Sequence, residues 1–386
     1  MAIQEQGKNK YKIVVPIGYN GNQRIRHIET FYGTKKEAIL RENEIKLELK
    51  NNTYIAKKNI TVYMFIQEWL KSRKNTVAIK TYKNYELYCN NICKCLGHIK
   101  LIDLNGKILD SFYNELKTKT NYSDRTIKDH YTAVTNILNT AVNWNYLIVN
   151  PNFKAKPIKY RKKEISCYSP EDANKLMQVL RNEPLKNQLI IMLTLDSGCR
   201  RGELTGLTWN DIDFANSSID INKTTQYVSG YGIFEKTTKT ESSNRIVFIS
   251  KTTLDLLKKY QKQQLEKRLK LGSKWQNSKR VFTTEYGADM HPNTPSKIFD
   301  NIIKKYNLKK ISFHGLRHTN ASLLKIKKVP LQTISKRLGH SNISVTHNVY
   351  SHFFEEELKE VANVTESFWE AQIWIHITIL IRKKHI

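Results

Sequence analysis

Ile311-Ser-Phe-His314-Gly-Leu-Arg317-His318, then Leu338-Gly339-His340, then Thr346-His-Asn-Val-Tyr350-Ser-His352 form the stretch around which the rest of the chain is arranged. His314 and Arg317 stand three apart, so on a helix they share a face. A further imidazole and a phenol follow on short elements. Imidazoles and a guanidinium at one site suit an oxyanion that gains charge during reaction. A phenol beside such cations gives up its proton more easily and becomes a candidate nucleophile. No piece is specific alone, because an isolated His-x-x-Arg is more often a surface pair or a helix cap.

Composition narrows the partner. The chain has 386 residues, 40% of them hydrophobic, with 64 Lys and Arg against 35 Asp and Glu, a net charge of +29. That length suits two or three domains with ordinary cores. A folded protein this basic is expected to bind a polyanion, nucleic acid being the commonest. Ribosomal and membrane-surface proteins share the composition, and a merely soluble cationic surface is the bland alternative. The five cysteines, an odd number, and a polar opening of mixed charge argue for a reducing cytoplasm and against a disulfide framework. Cys89, Cys93, Cys95 and His98 cluster, but their spacing fits no common zinc pattern, so small half-buried core residues are expected there and no metal.

Upstream, residues 11–17 and 23–31 read as two strands about a turn at Asn20-Gly21, with Lys12, Arg24 and Arg26 as a candidate basic face. Thr34-Lys-Lys-Glu37 is a capping box opening a helix to Lys50. Residues 1–55 therefore suggest a small sheet on one helix, either a sheet-in-groove DNA reader or a plain capping subdomain. Thr61 starts a helix whose Val62, Phe65, Ile66, Trp69 and Leu70 recur at helical spacing, and three more helices follow near 78–95, 105–117 and 123–145. Their charged faces are either simply solvated or turned to DNA. Residues 150–163 carry Lys154, Lys156, Lys159, Arg161, Lys162 and Lys163 with two prolines, the composition of a linker lying along phosphates. Ser169-Pro170-Glu171-Asp172 begins a fresh helix, so a new domain is expected from about residue 164.

Two cations in that last domain complete the set. Arg200 follows the turn at Gly198 near a helix N-terminus, where anions are favoured, and Glu203 lies one turn on to orient it. Lys239 falls between strands expected near 218–222 and 245–249, on a hairpin tip from which it can donate a proton. Each has a bland reading, Arg200 as a structural ion pair and Lys239 as one lysine among many.

Taken in order, Arg200, Lys239, His314-x-x-Arg317, His340 and Tyr350 resemble the tyrosine recombinase family, the integrases of phages and conjugative transposons. Glu203 stands three after Arg200, as in the family's Gly-x-Arg-x-x-Glu, and Lys239 opens a complete Lys-Thr-x-x-Ser-x-Arg. The resemblance implies a mainly α chain with small β-sheets (α+β). It would comprise a three-stranded-sheet-plus-helix arm-binding domain (1–55), a helical SAM-like core-binding domain (60–153), a basic linker (154–163) and a catalytic domain (164–366). The implied activity is site-specific cleavage and rejoining of DNA through a 3′-phosphotyrosyl intermediate, without metal, cofactor or ATP, integrating and excising a mobile element or prophage. The implied partners are double-stranded DNA at core and arm sites and further copies in a synaptic tetramer. An excision factor and a host DNA-bending protein are candidate accessories, and no membrane is involved.

The tail departs from the pattern. Residues 353–364 read as an acidic-faced helix, and Ile373, Ile375, Ile377, Ile379 and Ile381 then alternate as in a strand. Residues 367–386 are either a strand exchanged between protomers or an aggregation-prone extension. Two other activities remain open at this stage: a type IB topoisomerase or resolvase with the same site, and a non-catalytic DNA-binding regulator. The intact Arg200, Lys239, Arg317 and Tyr350 argue against the regulator.

Overall fold

The computed structural model describes residues 3–20, 23–50, 60–160, 166–237 and 244–339. The chain divides into two compact units, Met1–Lys162 and Lys163–Ile386.

The first unit opens with an antiparallel sheet, β1 (Ile3–Gly7), β2 (Lys10–Asn20) and β3 (Gln23–Tyr32), in that spatial order, followed by α1 (Lys35–Lys50). Tyr11, Ile13 and Val15 alternate along β2 and point at Ala38 and Ile45 of α1, which makes the small core. Thr34 and Glu37 exchange hydrogen bonds as a capping box, Glu37 accepting the Thr34 N–H at 2.7 Å. β1 is an addition to the two strands read from the residues. Its only inward position is Ile3, so it carries no alternation for a reader to see. Register pairs Lys12 with Thr30 and Pro16 with Arg26, placing Lys12 and Arg26 on the face away from α1 together with exposed Ile28 and Tyr32.

Four helices make the rest of this unit: α2 (Val62–Arg73), α3 (Ile79–Leu96), α4 (Gly106–Lys119) and α5 (Asp124–Asn143). Thr61, Asn105 and Ser123 cap three of them by accepting a backbone N–H three residues on. Their apolar stripes meet around Phe65, Ile66, Trp69, Leu109 and Phe112. Residues 150–156, read as the start of a linker, are instead docked on this bundle. Asn152 is wholly buried, accepts a hydrogen bond from the Tyr113 hydroxyl at 2.7 Å and donates to Thr135 Oγ1 at 2.8 Å, while Asp110 accepts the Lys156 N–H at 2.7 Å. Asn152, with Asn150 donating to the Thr135 carbonyl at 3.2 Å and to Asn139 Oδ1 at 2.7 Å, does here what apolar periodicity does elsewhere, which is why the docking is silent in the hydrophobic pattern. The basic residues Arg161, Lys162 and Lys163 lie outside the described residues.

The second unit contains α6 (Pro170–Leu180), α7 (Leu185–Ser197), the short α8 (Arg201–Gly206), β4 (Ile212–Asp213), β5 (Ser218–Ile221), β6 (Lys223–Val228), β7 (Gly232–Thr237), β8 (Arg245–Phe248), α9 (Lys251–Leu271), α10 (Thr294–Lys305), α11 (Phe313–Ile326) and α12 (Leu331–Leu338). The capping box at Ser169 and Asp172 starts α6. α7 buries the consecutive Leu189, Ile190 and Ile191, and then Leu193, in the core it shares with α6, α9, α10 and α11. Strands β4, β5 and β8 pair antiparallel, and β6 and β7 form a separate hairpin. That hairpin falls between the two strands expected near 218–222 and 245–249 and was not itself expected. Its tip is at residues 229–231; Lys239, expected on a hairpin tip between the strands near 218–222 and 245–249, lies outside the described residues. The isoleucine-alternating tail lies outside the described residues.

Candidate active site

The site starts where α7 stops. Gly198 is left-handed, at φ 65°, and a side chain there would meet Leu338 Cδ2 at 2.5 Å, so both conformation and space call for glycine. The chain reverses and Arg200 becomes the N-cap of α8 in extended conformation. Glu203 reaches back, accepting the Arg200 backbone N–H and its Nη1–H, each at 2.8 Å. This is half of a capping box. The other half cannot form, because a guanidinium has no acceptor to offer the Glu203 N–H. The Arg200 guanidinium is thereby aimed by its own helix, with 39% of its side chain still open to solvent.

α11, capped by Ser312, brings His314 and Arg317 to the same place. Arg317 is 1% exposed and donates from Nη1 to the Gly198 carbonyl and from Nη2 to the Leu338 carbonyl, both at 2.7 Å. It thus ties the turn before Arg200 to the C-terminus of α12. Asn320, one turn further along α11, donates to the Leu195 and Asp196 carbonyls at 2.7 and 3.0 Å and holds the end of α7.

Three consecutive carbonyls at the end of α12 are each taken by a different arginine. Arg245 Nε donates to the Arg337 carbonyl at 2.7 Å, Arg317 to Leu338 and Arg200 Nη2 to Gly339 at 3.3 Å. Helix C-termini carry unsatisfied carbonyls and partial negative charge, which makes them natural seats for guanidinium groups. Arg245 also pairs with Glu203 at 2.8 Å, so one buried carboxylate is shared by two arginines.

Charge follows from this packing. Burial alone would raise the Glu203 pKa, but the Arg245 hydrogen bond and charge, then Arg200, bring it down to about 2. Burial and the neighbouring Arg200 charge lower Arg317 to about 9, which leaves it a cation at neutral pH. His314 keeps an exposed edge, yet desolvation of its ring, then Arg317 and Arg200, push its pKa down. His318 packs edge-to-face on His314 with centroids 4.8 Å apart and is lowered to about 4 by burial, His314 and Arg317. Both imidazoles are therefore neutral at pH 7, and a neutral imidazole can take a proton.

Of the residues singled out from the sequence, Arg200, His314 and Arg317 converge here. Lys239, His340 and Tyr350 lie outside the described residues, though the described chain runs up to Gly339, next to His340. Arg245 and Asn320, which also hold this turn together, were not singled out as site residues. Arg245 had a signal, the last position of Lys-Thr-x-x-Ser-x-Arg, but Asn320 had none. No group of three His, Cys, Asp or Glu is placed to hold a metal among the described residues. No described helix is long and apolar enough to cross a membrane.

The description "phage integrase family" fits residues 168–357, and "phage integrase SAM-like domain" fits residues 61–156. The chain is 30% identical over 375 residues to the tyrosine recombinase XerC-like protein of Caldanaerobacter subterraneus, covering 92% of this chain and 95% of that one. It is 26% identical to the ICEBs1 integrase of Bacillus subtilis, over 94% and 98% of the two chains. The Tn1549 transposon integrase, solved in complex with transposon right end DNA, shares the fold at a TM-score of 0.67 and 20% identity, over 78% of this chain and 100% of that one. An arginine-lined turn beside a His-x-x-Arg helix, with near full-length likeness to such relatives, identifies the chain as a member of the phage integrase family of tyrosine recombinases, enzymes that cleave and rejoin DNA at specific sites.

Proposed function

We propose that Arg200, Lys239, His314, Arg317, His340 and Tyr350 form the cleavage site of this recombinase. The observation that carries the reading is the convergence of Arg200 and Arg317 on one turn with His314 beside them. Tyr350 attacks a DNA phosphodiester in line, giving a 3′-phosphotyrosyl bond and a free 5′-hydroxyl. Arg200 donates to a non-bridging oxygen from its open side. A guanidinium has five N–H groups, and Arg317, with two committed to carbonyls, offers others to the second oxygen. Neutral His314 accepts the tyrosine proton, His340 donates to the phosphate, and Lys239 protonates the leaving 5′-oxygen. Cationic side chains supply the charge that metal ions supply elsewhere. Because the phosphotyrosine conserves the bond, a hydroxyl from a partner strand rejoins it without ATP. Exchange between two duplexes involves four strands, hence four tyrosines, which supports a synaptic tetramer.

The remaining parts take roles around this site. Residues 1–55 bind arm-type DNA through the outward sheet face that holds Lys12, Arg26 and Tyr32. Residues 60–153 bind the core site, residues 157–163, beyond the docked segment, follow the phosphates, residues 164–366 carry catalysis, and residues 367–386 pass to a neighbouring protomer. The enzyme works in the cytoplasm on the DNA of a mobile element or prophage, with an excision factor and a host DNA-bending protein as accessories. A nicked suicide substrate carrying its own attachment site tests the chemistry. The wild-type chain is expected to accumulate a covalent protein–DNA adduct and Tyr350→Phe none. An adduct in the variant, or none from the wild type, sinks the assignment.

A further inference from the structure

Arg245 lies at the start of β8, just after the segment that carries Lys239, with only 6% of its side chain exposed. Its guanidinium works in two directions. Nη2 holds Glu203, the carboxylate that aims Arg200, and Nε holds the Arg337 carbonyl, two residues before Gly339. Gly339 is left-handed, at φ 66°, and a side chain there would come to 3.0 Å from Arg245 Nη1, so the turn into His340 is wrapped against this same group.

We propose that Arg245 is a positioning residue of the recombination site: it joins the carboxylate that orients Arg200 to the helix end that leads to His340, and it does so from the strand that follows Lys239. One side chain thereby links three separate catalytic segments. A lysine could satisfy one of the two acceptors at a time, whereas the rigid fork of arginine meets both at fixed angles. Stability alone does not account for the pair. A buried ion pair adds little net stability over well-packed apolar residues of similar volume, but it fixes direction, which a clamp on a phosphate needs.

The inference rests on the recombinase reading above, and the experiment separates the two. Arg245→Met and Arg245→Lys are measured with the wild type in single-turnover cleavage of suicide DNA at saturating protein, alongside DNA affinity and thermal melting. Each is assayed on a normal phosphodiester and on a scissile methylphosphonate, which lacks one charged oxygen and asks less of the arginine clamp. Arg245→Lys keeps a charge beside Glu203 and so guards against a variant that merely unfolds. We expect both variants to cleave the phosphodiester roughly 10²-fold more slowly, the scale set by displacing a catalytic group by about an ångström. DNA affinity should stay near the wild-type value and the deficit should shrink on the methylphosphonate. Wild-type rates in the variants, a deficit that lies wholly in DNA affinity, or one equal on both substrates overturns the positioning role while leaving the recombinase intact. A wild-type chain inert on both substrates removes the recombinase reading and this inference with it.

Discussion

Trp69 and Arg317 head the fully buried side chains among the described residues by size, one in each unit, and they are held by opposite means. Trp69 sits among Phe65, Ile66 and the edge of Tyr85, 4.9 Å between centroids, and needs a single hydrogen bond from Nε1 to Thr140. Its burial is favourable in itself, since apolar surface leaves water. Arg317 is costly to bury and stays inside only because two backbone carbonyls accept from it. The first kind of interior builds a scaffold. The second concentrates charge, because Arg317 lies within electrostatic reach of Arg200, Glu203 and Arg245, and a closely packed set of cations with one carboxylate is organised for an anion from outside.

Paired substitutions test that contrast most sharply. Arg317→Met is expected to lower single-turnover cleavage by about 10²–10³ or more, the cost of one lost oxyanion donor, while also stripping two carbonyls of their donor. Trp69→Ala is expected to cost about 3–5 kcal/mol in unfolding of the first unit, with cleavage per folded molecule retained. Denaturant melts read together with cleavage rates check both. Arg317→Met that cleaves normally, or Trp69→Ala that melts normally and abolishes cleavage, would erase the distinction between the two interiors.

That distinction also explains what could be read in advance. The helices around Trp69 were legible because Val62, Phe65, Ile66 and Trp69 repeat at the helical period and Thr61, Asn105 and Ser123 punctuate their starts. The site residues Arg200, His314 and Arg317 were legible by chemistry and spacing, not by hydrophobic pattern. Hidden from the sequence were contacts made through the backbone. Nothing in Arg337-Leu-Gly announces that three arginines will take its carbonyls, and nothing in Asn150-Pro-Asn152 announces a buried hydrogen-bond hub. The hairpin β6–β7 was missed for a different reason: Lys223-Thr-Thr-Gln-Tyr-Val is mostly polar, and only Thr225 and Val228 are buried. A strand lying across a surface has little alternation to show.

Acid separates the parts of the second interior by pH window. His318, with its pKa lowered to about 4, stays neutral in the fold, whereas in the unfolded chain it takes a proton near 6.5. The unfolded state then binds more protons, so stability falls as pH drops from about 6.5 to about 4. Glu203 behaves as a paired carboxylate, and its contribution persists above the ordinary carboxylate range and is lost as pH falls from 4.5 towards 2. His318→Asn should make the fall in melting temperature between pH 6.5 and 4 shallower, the remainder coming from His314 and His130, whose pKa values are also lowered, and should leave the steeper loss below 4.5 in place. An unchanged upper window would mean that His318 is not what titrates there.

The smallest effect concerns two helix starts that look alike. At α6, Ser169 and Asp172 form a complete capping box, with Ser169 Oγ accepting the Asp172 N–H at 3.2 Å. At α8, Glu203 takes the Arg200 N–H in the same reach-back, but the N-cap side chain is a guanidinium partly open to solvent and the carboxylate is shared with Arg245. Local stabilisation is the whole job of the first, while the second sacrifices half the cap to aim a cation. Ser169→Ala is therefore expected to cost about 1 kcal/mol, read in a denaturant melt, and to leave cleavage by the folded protein unchanged. Glu203→Gln keeps an oxygen that can accept the Arg200 N–H but removes the charge shared by Arg200 and Arg245, so it should slow cleavage well beyond what its melt accounts for, because Arg200 loses the charge that aims it. If both variants changed melting and cleavage in the same proportion, α8 would be an ordinary helix start and Arg200 would be oriented by something other than its own cap.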